Sequence, residues 1–500
     1  MSGPDQTLGV PPALPVAMRR RLLLAEAAGY AAGPGSYLLG RWRMSHARRS
    51  APRSGGGRSQ QQDEPIVSGL TSDGPGPEEA HARKAAGIWC GQLELSAPDT
   101  LPSHPRRGDG DPYAQARVLL RLHGEAVGYV SVGLGPAGLD RARVLAAANA
   151  DVVARVRGHL AADGLLDERD LGRGLDAAGL VAVGHVKQPT SGGFPATLCG
   201  ARADKDVGVT DVGVNSDTRV SIIVCTRDRP EALGNCLHSL EALRYPNLEI
   251  IVVDNSPSDD GARRMFQTTV GKDHRFRYVR EDRPGLSCAR NAGLEIATGL
   301  VTAFTDDDVV VDSDWIGGIL HGFSRRDTIA CVTGLVAAAN LDGPTEQYFD
   351  ARVAWSTRCE PRIFDGDPVD RPGPLYPFAA GSFGALVAVR TSVLQALGGF
   401  DNALGVGTPS RGGEDLDLLV RILLAGHVIA YEPAAVSWHH HRGDFPTLRR
   451  QMFGYGCGLS AYLTKYLLNP RTGGRLILRV PAGVAHLRRL NSRTCLAKTG

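Results

Sequence analysis

The sequence predicts an α/β fold with a mainly parallel central sheet, and three observations support that prediction. Runs of consecutive apolar residues, typical of strands buried on both faces, begin at Val220, Leu248 and Val301. Apolar residues at helical spacing lie between these runs, as in 286–297. Polar residues follow each run directly. Because ligands bind at the carboxyl ends of parallel strands, the functional groups are expected at that edge of the sheet.

The α/β domain is expected over 218–440, after a linker over 190–217 and before a basic helical region over 441–500. Its strands are predicted at 220–225, 248–253, 276–279 and 301–305. Asp444 is the only acidic residue after Arg442. A basic end of this kind favours either contact with an anionic membrane or a solvated tail.

The first part of the chain predicts two further segments. Residues 1–85 are rich in Gly, Ser, Pro and Arg and cannot bury enough apolar surface to fold, so we expect a disordered basic tail with a helix near 18–30. Residues 86–189 predict a small α+β module with a β-hairpin and a helix over 138–162. The sequence of the module does not indicate its role.

Composition excludes several classes of protein. The nine cysteines include no CxxC pair, which argues against a disulfide framework or a zinc site and fits a reducing cytosol. The absence of GxGxxG after the first strand and of GxxxxGK[ST] removes the main support for a dinucleotide oxidoreductase or a P-loop NTPase. No apolar stretch approaches about 18 residues, so we expect a cytoplasmic protein, either free or peripheral at the inner face of the membrane.

The tripeptide Asp306-Asp307-Asp308 follows the fourth expected strand directly. Three adjacent carboxylates repel one another unless a cation lies between them. An all-oxygen ligand set suits Mg²⁺ or Mn²⁺, with a phosphorylated substrate completing the coordination shell. The alternative is an ordinary acidic loop or a helix N-cap.

Other strand ends carry groups that suit a nucleotide. Thr226 and Arg227 follow the first strand, Asp254 follows the second, and Arg290 and Asn291 lie early in a predicted helix. An aspartate can accept a hydrogen bond from a base N–H, and an arginine can hold ribose or phosphate oxygens. Each residue could instead be a turn former or a surface charge. Their positions at successive strand ends favour a binding site.

Two later features each allow both a structural and a functional interpretation. Glu414 and Asp415 begin a predicted helix after the glycine-rich loop 405–413, where they either cap the helix or present a general base beside a mobile loop. Three consecutive histidines beginning at His439 end a strand predicted at 434–438. They are either an exposed polar cluster or a source of a neutral imidazole ligand for a metal.

In order, the segments 220–230, 251–256 and 285–293, the aspartate triplet, Gly413-Glu414-Asp415 and Trp438-His439 resemble the signature series of family-two glycosyltransferases. The resemblance covers residues 218–465 and implies the GT-A fold, here of a bacterial type with an additional N-terminal module. It implies metal-dependent, inverting, hexosyltransferase-like transfer from a nucleotide-diphosphate sugar to an unidentified acceptor hydroxyl, in cell-envelope or natural-product glycosylation. The implied cofactor is Mg²⁺ or Mn²⁺. Nucleic acid is not an expected partner, whereas peripheral membrane contact through the basic ends is.

The resemblance also implies a role for each site residue. Thr226 and Arg227 would line the nucleotide pocket, Asp254 would contact the base, and Arg290 with Asn291 would border base and ribose. Asp306 would face ribose or metal, Asp307, Asp308 and His439 would complete the metal site, and Asp415 would be the catalytic base. His440 or His441 could replace His439. Two other functions compete: a carboxylate-metal nucleotidyltransferase or phosphohydrolase, and a non-catalytic sugar-nucleotide-binding protein.

Overall fold

The computed structural model describes residues 14–47, 87–97, 101–163, 214–353, 355, 358–366, 375–378 and 385–482. Most of the predicted linker, the last part of the predicted module and the chain after 482 lie outside the described residues.

The described residues form strands and helices that we number in chain order. The strands are β1 (Ile88–Glu94), β2 (Gln115–Leu122), β3 (Glu125–Gly133), β4 (Val220–Thr226), β5 (Leu248–Asn255), β6 (Phe276–Glu281), β7 (Val301–Asp306), β8 (Val309–Val311), β9 (Ile329–Ala338), β10 (Asn340–Leu341), β11 (Arg362–Phe364), β12 (Ala385–Arg390) and β13 (Val428–His439). The helices are α1 (Val16–Ala47), α2 (Arg141–Ala146), α3 (Ala150–Ala162), α4 (Pro230–Glu241), α5 (Gly261–Thr269), α6 (Leu286–Ile296), α7 (Trp315–Ser324), α8 (Pro344–Val353), α9 (Thr391–Ala396), α10 (Glu414–Leu424), α11 (Phe445–Leu468) and α12 (Pro470–Ile477).

The central sheet has the strand order β11-β13-β9-β12-β7-β4-β5-β6, and β8 pairs with β13. The pairs β7–β4, β4–β5, β5–β6 and β13–β9 are parallel, whereas β12 runs antiparallel between β9 and β7. Strands β4, β5, β6, β7, β9 and β13 therefore point the same way. This arrangement confirms the predicted α/β class with a mainly parallel sheet.

Both faces of the sheet are covered, which explains why its strands are continuously apolar. In β4, Ile222 and Val224 belong to the core under α4 and α7, whereas Ile223 belongs to the core on the opposite face. All three side chains are fully buried. Burial of one such side chain stabilises a fold by about 1.5–3 kcal/mol, so the two cores hold the strand ends in fixed register.

The N-terminal module docks on this domain through backbone pairing and buried ion pairs. Its strand β1 pairs with β10, which belongs to the larger domain. Arg121 lies 2.8 Å from Asp312, and Arg117 lies 2.7 Å from Asp350. The helix predicted over 138–162 is two helices, because Asn149 caps α3 by accepting a hydrogen bond from Val152 N.

The helix expected near 18–30 is present, but it extends over Val16–Ala47 as α1, so the expectation of disorder is wrong for the rest of that range. This helix packs along α11 at two glycines. A Cβ at Gly29 would lie 2.1 Å from Phe453 O, and one at Gly33 would lie 1.9 Å from Ser460 Oγ. Composition alone could not reveal this contact, because the residues that meet, such as Gly29 and Phe453, are more than four hundred positions apart in the sequence. Within the described parts of the chain, no helix combines the length and apolarity needed to cross a bilayer.

Candidate active site

Three strand ends meet at one edge of the central sheet. Thr226 at the end of β4 pairs in register with Asp254 on β5, and the neighbouring Cys225 pairs with Asp306 on β7. The sheet therefore brings together the polar residues that the sequence places after separate apolar runs. Their proximity is fixed by backbone hydrogen bonds between parallel strands.

Asp307 is held by groups of the protein itself. Its Oδ2 accepts a hydrogen bond from Thr226 Oγ1 at 2.8 Å, and its Oδ1 accepts one from Arg229 Nη1 at 2.5 Å. Burial raises the pKa of Asp307 to about 7, against the opposing effect of the Arg229 charge. Both of its oxygens are thus hydrogen-bonded within the protein, and the metal-ligand role that the sequence suggests for Asp307 stays a prediction.

Asp308 has one engaged oxygen and one that faces a histidine. Its Oδ2 accepts hydrogen bonds from Arg229 Nη2 at 3.2 Å and Arg442 Nη2 at 2.9 Å. Its Oδ1 lies 3.7 Å from His439 Nε2. Burial alone would raise the pKa of Asp308, but His439, Arg229 and Arg442 together lower it. The carboxylate is therefore ionised at neutral pH, and neither of its arginine partners is evident from the sequence.

The three histidines point to different partners. His439 is the one that faces Asp308, and its Nδ1 lies 2.8 Å from His441 Nδ1. Burial lowers the pKa of His439 to about 4, so the ring is neutral and retains a lone pair for a metal. His441 lies 3.6 Å from Asp350, and the backbone N–H of His440 donates to Asp308 O.

Asp308 Oδ1 and His439 Nε2 lie close enough for a small side-chain shift to bring both onto one divalent cation. At 3.7 Å these atoms are too far apart for a hydrogen bond. Metal–ligand bonds of about 2.1 Å place neighbouring ligand atoms of an octahedral site about 3.0 Å apart, so a shift of roughly 0.7 Å would bring the two atoms to that distance. Asp306, with its side chain 39% exposed, adds a carboxylate on the same strand end. The donor set therefore suits Mg²⁺ or Mn²⁺.

Arg290 links the end of β7 to the start of α10. It donates from Nη2 to Asp306 Oδ1 and from Nη1 to Glu414 Oε1, each at 3.2 Å. Its guanidinium also lies over the ring of Phe400, 5.2 Å from the centroid. Burial acts to lower the pKa of Arg290, but Asp306 and Glu414 outweigh it and raise the value. A single buried cation thus joins two regions that are distant in sequence.

The start of α10 presents one buried and one exposed acid. Glu414 is buried, and burial with the adjacent charge of Asp415 raises its pKa to about 7. Asp415 is exposed in the first helical turn, where its Oδ1 accepts a hydrogen bond from Leu416 N. Gly413 precedes them with φ 87°, and a Cβ there would lie 2.6 Å from Gly458 O. Only glycine allows the chain to turn this closely against α11.

The glycine-rich loop 405–413, which one of the two sequence interpretations describes as mobile, is hydrogen-bonded on both sides. Gly405 N donates to Gly412 O at 3.1 Å, and Leu286 N donates to Val406 O at 2.8 Å. Ser410, fully buried, donates from Oγ to Ala403 O. These bonds connect the loop to α6, so it is an ordered wall of the site in this structure.

Asp254 is fully buried but has an unfilled hydrogen-bonding position. Its Oδ2 accepts a hydrogen bond from Tyr278 OH at 2.6 Å, whereas its Oδ1 has no partner within the described residues. Burial raises its pKa. A buried oxygen without a partner is costly and suits a donor brought by a ligand. Arg227, which is exposed, lies 3.7 Å from Asp228 at the same edge of the sheet.

Asn291 does not join the carboxylates. Its Nδ2 donates to Phe400 O and Asn402 Oδ1, and its Oδ1 accepts from Phe400 N at 2.8 Å. Its amide therefore holds the turn before the glycine-rich loop, and its predicted contact with base and ribose stays a prediction. Asn255, not singled out from the sequence, plays a similar part by accepting from Gly285 N and donating to Arg283 O.

Comparisons with known proteins identify the family to which this chain is similar. Residues 221–387 match the model of the family described as "Glycosyl transferase family 2". The succinoglycan biosynthesis protein ExoM of Rhizobium meliloti is 30% identical over 251 residues, covering 48% of this chain and 74% of that protein. The glucosyl-dolichyl phosphate glucuronosyltransferase of Haloferax volcanii is 25% identical over 190 residues, covering 37% of this chain and 57% of that protein. The chain thus spans little more than half the length of this second relative.

Among solved structures, the chain is similar to the mannosyltransferase PcManGT of Pyrobaculum calidifontis, solved with GDP-Man and Mn²⁺. The match has 21% sequence identity and a TM-score of 0.36, and it covers 57% of this chain and 83% of that one.

Proposed function

The chain belongs to glycosyl transferase family 2, and from that premise we propose that it transfers a sugar from a nucleotide-diphosphate sugar to an acceptor hydroxyl, with inversion at the anomeric carbon and a divalent metal as cofactor. The observation that carries the proposal is the position of Arg290 between Asp306 and Glu414. It joins the expected donor side of the site to the helix that bears the expected base.

The donor's nucleotide is proposed to bind at the ends of β4 and β5. Asp254 Oδ1, buried and unpartnered within the described residues, would accept a hydrogen bond from a base N–H. The Thr226 hydroxyl already donates a hydrogen bond to Asp307, so Thr226 would line the pocket without binding the nucleotide through its hydroxyl. Arg227 is exposed and can reach a phosphate or ribose oxygen. Arg290 would act by positioning Asp306.

Asp306, Asp308 and His439 are proposed to hold the metal, with Asp307 keeping the strand end rigid behind them. When bound, Mg²⁺ or Mn²⁺ would neutralise the charge that develops on the departing diphosphate. The arginines on Asp308 Oδ2 keep that carboxylate oriented.

Asp415 is proposed as the general base. Its exposed position lets it remove the proton from an acceptor hydroxyl as that oxygen attacks the anomeric carbon. Glu414 is buried against Arg290 and fixes the start of the helix, so the two adjacent acids have separate tasks.

The test is a screen of the purified protein with Mn²⁺ against a panel of nucleotide sugars, read as release of nucleoside diphosphate. Asp415→Asn should keep donor affinity and lose about 10²–10⁴-fold in transfer rate. Asp327→Asn is the matched control, because Asp327 is exposed just before β9, at the opposite edge of the sheet. Normal turnover by Asp415→Asn would refute the base assignment.

The same screen distinguishes the two competing functions. Release of pyrophosphate would favour a nucleotidyltransferase, and donor binding without turnover would favour a non-catalytic protein.

We also propose that α1 rests on an anionic membrane at the cytoplasmic face. Its outward side exposes Leu23, Leu24, Leu38, Leu39 and Trp42, and arginines at 19–21, 41 and 43 flank this apolar stretch. Such a helix inserts its apolar side between headgroups while arginines bind anionic lipids. The Haloferax volcanii relative is named for a lipid-linked sugar, which fits an acceptor presented at a membrane.

Sedimentation with vesicles tests this second proposal. The protein should bind phosphatidylglycerol vesicles more strongly than phosphatidylcholine vesicles, and added salt should weaken binding. The double variant Leu38→Glu/Leu39→Glu should lose binding, whereas Leu300→Glu, at an exposed leucine of the catalytic domain, should retain it. Equal sedimentation of all variants, or dimerisation through α1 in place of lipid binding, would overturn the proposal.

A further inference from the structure

A second cluster of metal-ligating side chains lies in the N-terminal module, away from the candidate active site. His123 is in the turn between β2 and β3, and His159 and Asp163 lie four residues apart at the end of α3. The sequence argued against a zinc site because it lacks paired cysteines. The fold nevertheless brings these two histidines and one aspartate together.

The three facing atoms form a nearly equilateral triangle. His123 Nδ1 lies 3.2 Å from His159 Nε2 and 2.8 Å from Asp163 Oδ2, and His159 Nε2 lies 3.3 Å from Asp163 Oδ2. Zinc bonds of about 2.0–2.1 Å place two ligands of a tetrahedral site about 3.3–3.4 Å apart. One cation at the centre of the triangle would accept a lone pair from each of the three atoms.

Partners outside the triangle orient the His159 ring and hold the backbone of the turn that carries His123. His159 Nδ1 lies 3.4 Å from Glu125 Oε2, which favours the tautomer with its Nε2 lone pair directed into the triangle. A carboxylate on the second nitrogen is the usual partner of a metal-bound histidine. His123 has a positive φ of 51°, and Glu94 holds its turn by accepting from His123 N and Gly124 N, each at 3.0 Å.

We propose that His123, His159 and Asp163 bind Zn²⁺, with Glu125 orienting His159 and a fourth position open to water. The side chains of the three ligands are 20%, 15% and 32% exposed, so an ion can enter from solvent. The site would fasten α3 to the β2–β3 turn. Arg121 also contacts that turn, because it donates a hydrogen bond to Gly124 O. The same arginine pairs with Asp312 of the catalytic domain. Bound zinc would therefore stabilise the docked module.

Zinc titration calorimetry on the metal-stripped full-length protein tests this site. Wild type should bind one equivalent of Zn²⁺ tightly, and Asp308→Asn should retain that equivalent because it alters the candidate donor metal site only. His159→Gln and His123→Asn should each weaken binding by more than about 100-fold. Asparagine tolerates the positive φ at 123, so the turn should survive this change. Glu125→Gln should weaken binding by about 10–100-fold.

His104→Ala is the matched control, because His104 is an exposed histidine of the same module. It should bind Zn²⁺ like wild type. Added Zn²⁺ should raise the melting temperature of wild type and His104→Ala but not of His159→Gln, and Co²⁺ should give the intense visible bands of a tetrahedral site. Retention of the tight equivalent by both His159→Gln and His123→Asn, or no tight equivalent in wild type, would overturn the proposal. None of these readouts depends on glycosyl transfer.

Discussion

Two sets of aspartates in this protein pair with arginines, and they differ in what is left unpaired. At the module interface, which we define as Arg117, Arg121, Asp312 and Asp350, arginine and carboxylate meet at 2.7–2.8 Å, and Arg121 and Asp312 are each only 7% exposed. At the candidate active site, Asp308 keeps one oxygen facing His439 across 3.7 Å. Asp254 at the same site, which is hydrogen-bonded to Tyr278 and not to an arginine, also keeps an oxygen without a partner within the described residues.

This difference separates a structural role from a binding role. A buried carboxylate whose charge is met by an arginine stabilises the fold that brings the pair together, because loss of either partner leaves an uncompensated buried charge. A buried carboxylate with an unfilled position is costly in the free protein, and a ligand that fills it gains affinity. We therefore expect substitutions at the module interface to lower the free energy of unfolding and substitutions at the candidate active site to weaken ligand binding.

The largest effect is expected for Asp308→Ala. It should weaken metal-dependent binding of the donor by more than about 100-fold, since changes even to outer partners of metal ligands typically cost about 10–100-fold. Calorimetric titration with nucleotide sugar and Mn²⁺ measures this loss. Asp327→Asn serves again as the control, and an unchanged titration curve for Asp308→Ala would remove this carboxylate from the metal site.

Arg121→Met should instead act on stability. It leaves Asp312 buried without its main partner, so we expect the free energy of unfolding to fall by about 3–5 kcal/mol, as measured by urea denaturation. The control is Arg244→Met, because Arg244 and Asp314 form an exposed pair with side chains 73% and 49% accessible. That pair should contribute about 0–1 kcal/mol. Similar losses in the two variants would contradict the distinction between interface and surface.

The Arg121–Asp312 pair also predicts that the stability of the fold depends on pH. Burial acts to raise the pKa of Asp312, but Arg121 and several hydrogen bonds outweigh it and lower the value. A lowered folded-state pKa contributes stability that is present above the ordinary aspartate range and is lost as the pH falls through the folded value. Wild type should therefore lose more stability on acidification than Asp312→Asn does. Parallel acid-unfolding curves would argue against this contribution.

The smallest effect concerns a path between the two regions. Arg117 pairs with Asp350, Asp350 lies 3.6 Å from His441, and His441 contacts His439. Arg117→Met should release this chain of contacts and raise the Mn²⁺ concentration needed for half-maximal transfer by about tenfold, with little change in the maximal rate.

The matched control for that variant is Arg155→Met, since Arg155 lies 3.7 Å from the exposed Glu360 and belongs to the same module. It should leave the metal dependence unchanged. If Arg117→Met lowers the maximal rate and leaves the metal dependence intact, the module does not act through His439.

Much of the sheet could be predicted from local patterns, and the misses have identifiable causes. The strands that begin at Val220, Leu248 and Val301 form as expected, because continuous apolar runs leave few alternatives to burial on both faces. Only the part of helix α1 near 18–30 was expected, and its extension to Ala47 could not be predicted from composition, because its glycines become favourable only against α11. The break before α3 depends on the Asn149 cap, which a hydrophobic pattern does not reveal.

For the candidate site, the sequence alone determined which polar groups follow the strands, since position along a strand decides at which edge of a parallel sheet a residue lies. The tertiary structure decided what each group does. It engages Asp307 with Arg229, commits Asn291 to the turn at Phe400, buries Glu414 against Arg290 and leaves Asp415 exposed. The physical reason is that a carboxylate's partners and burial are set by residues distant in sequence, such as Arg442 beside Asp308. The same holds for the His123, His159 and Asp163 triangle, whose members become neighbours only after folding.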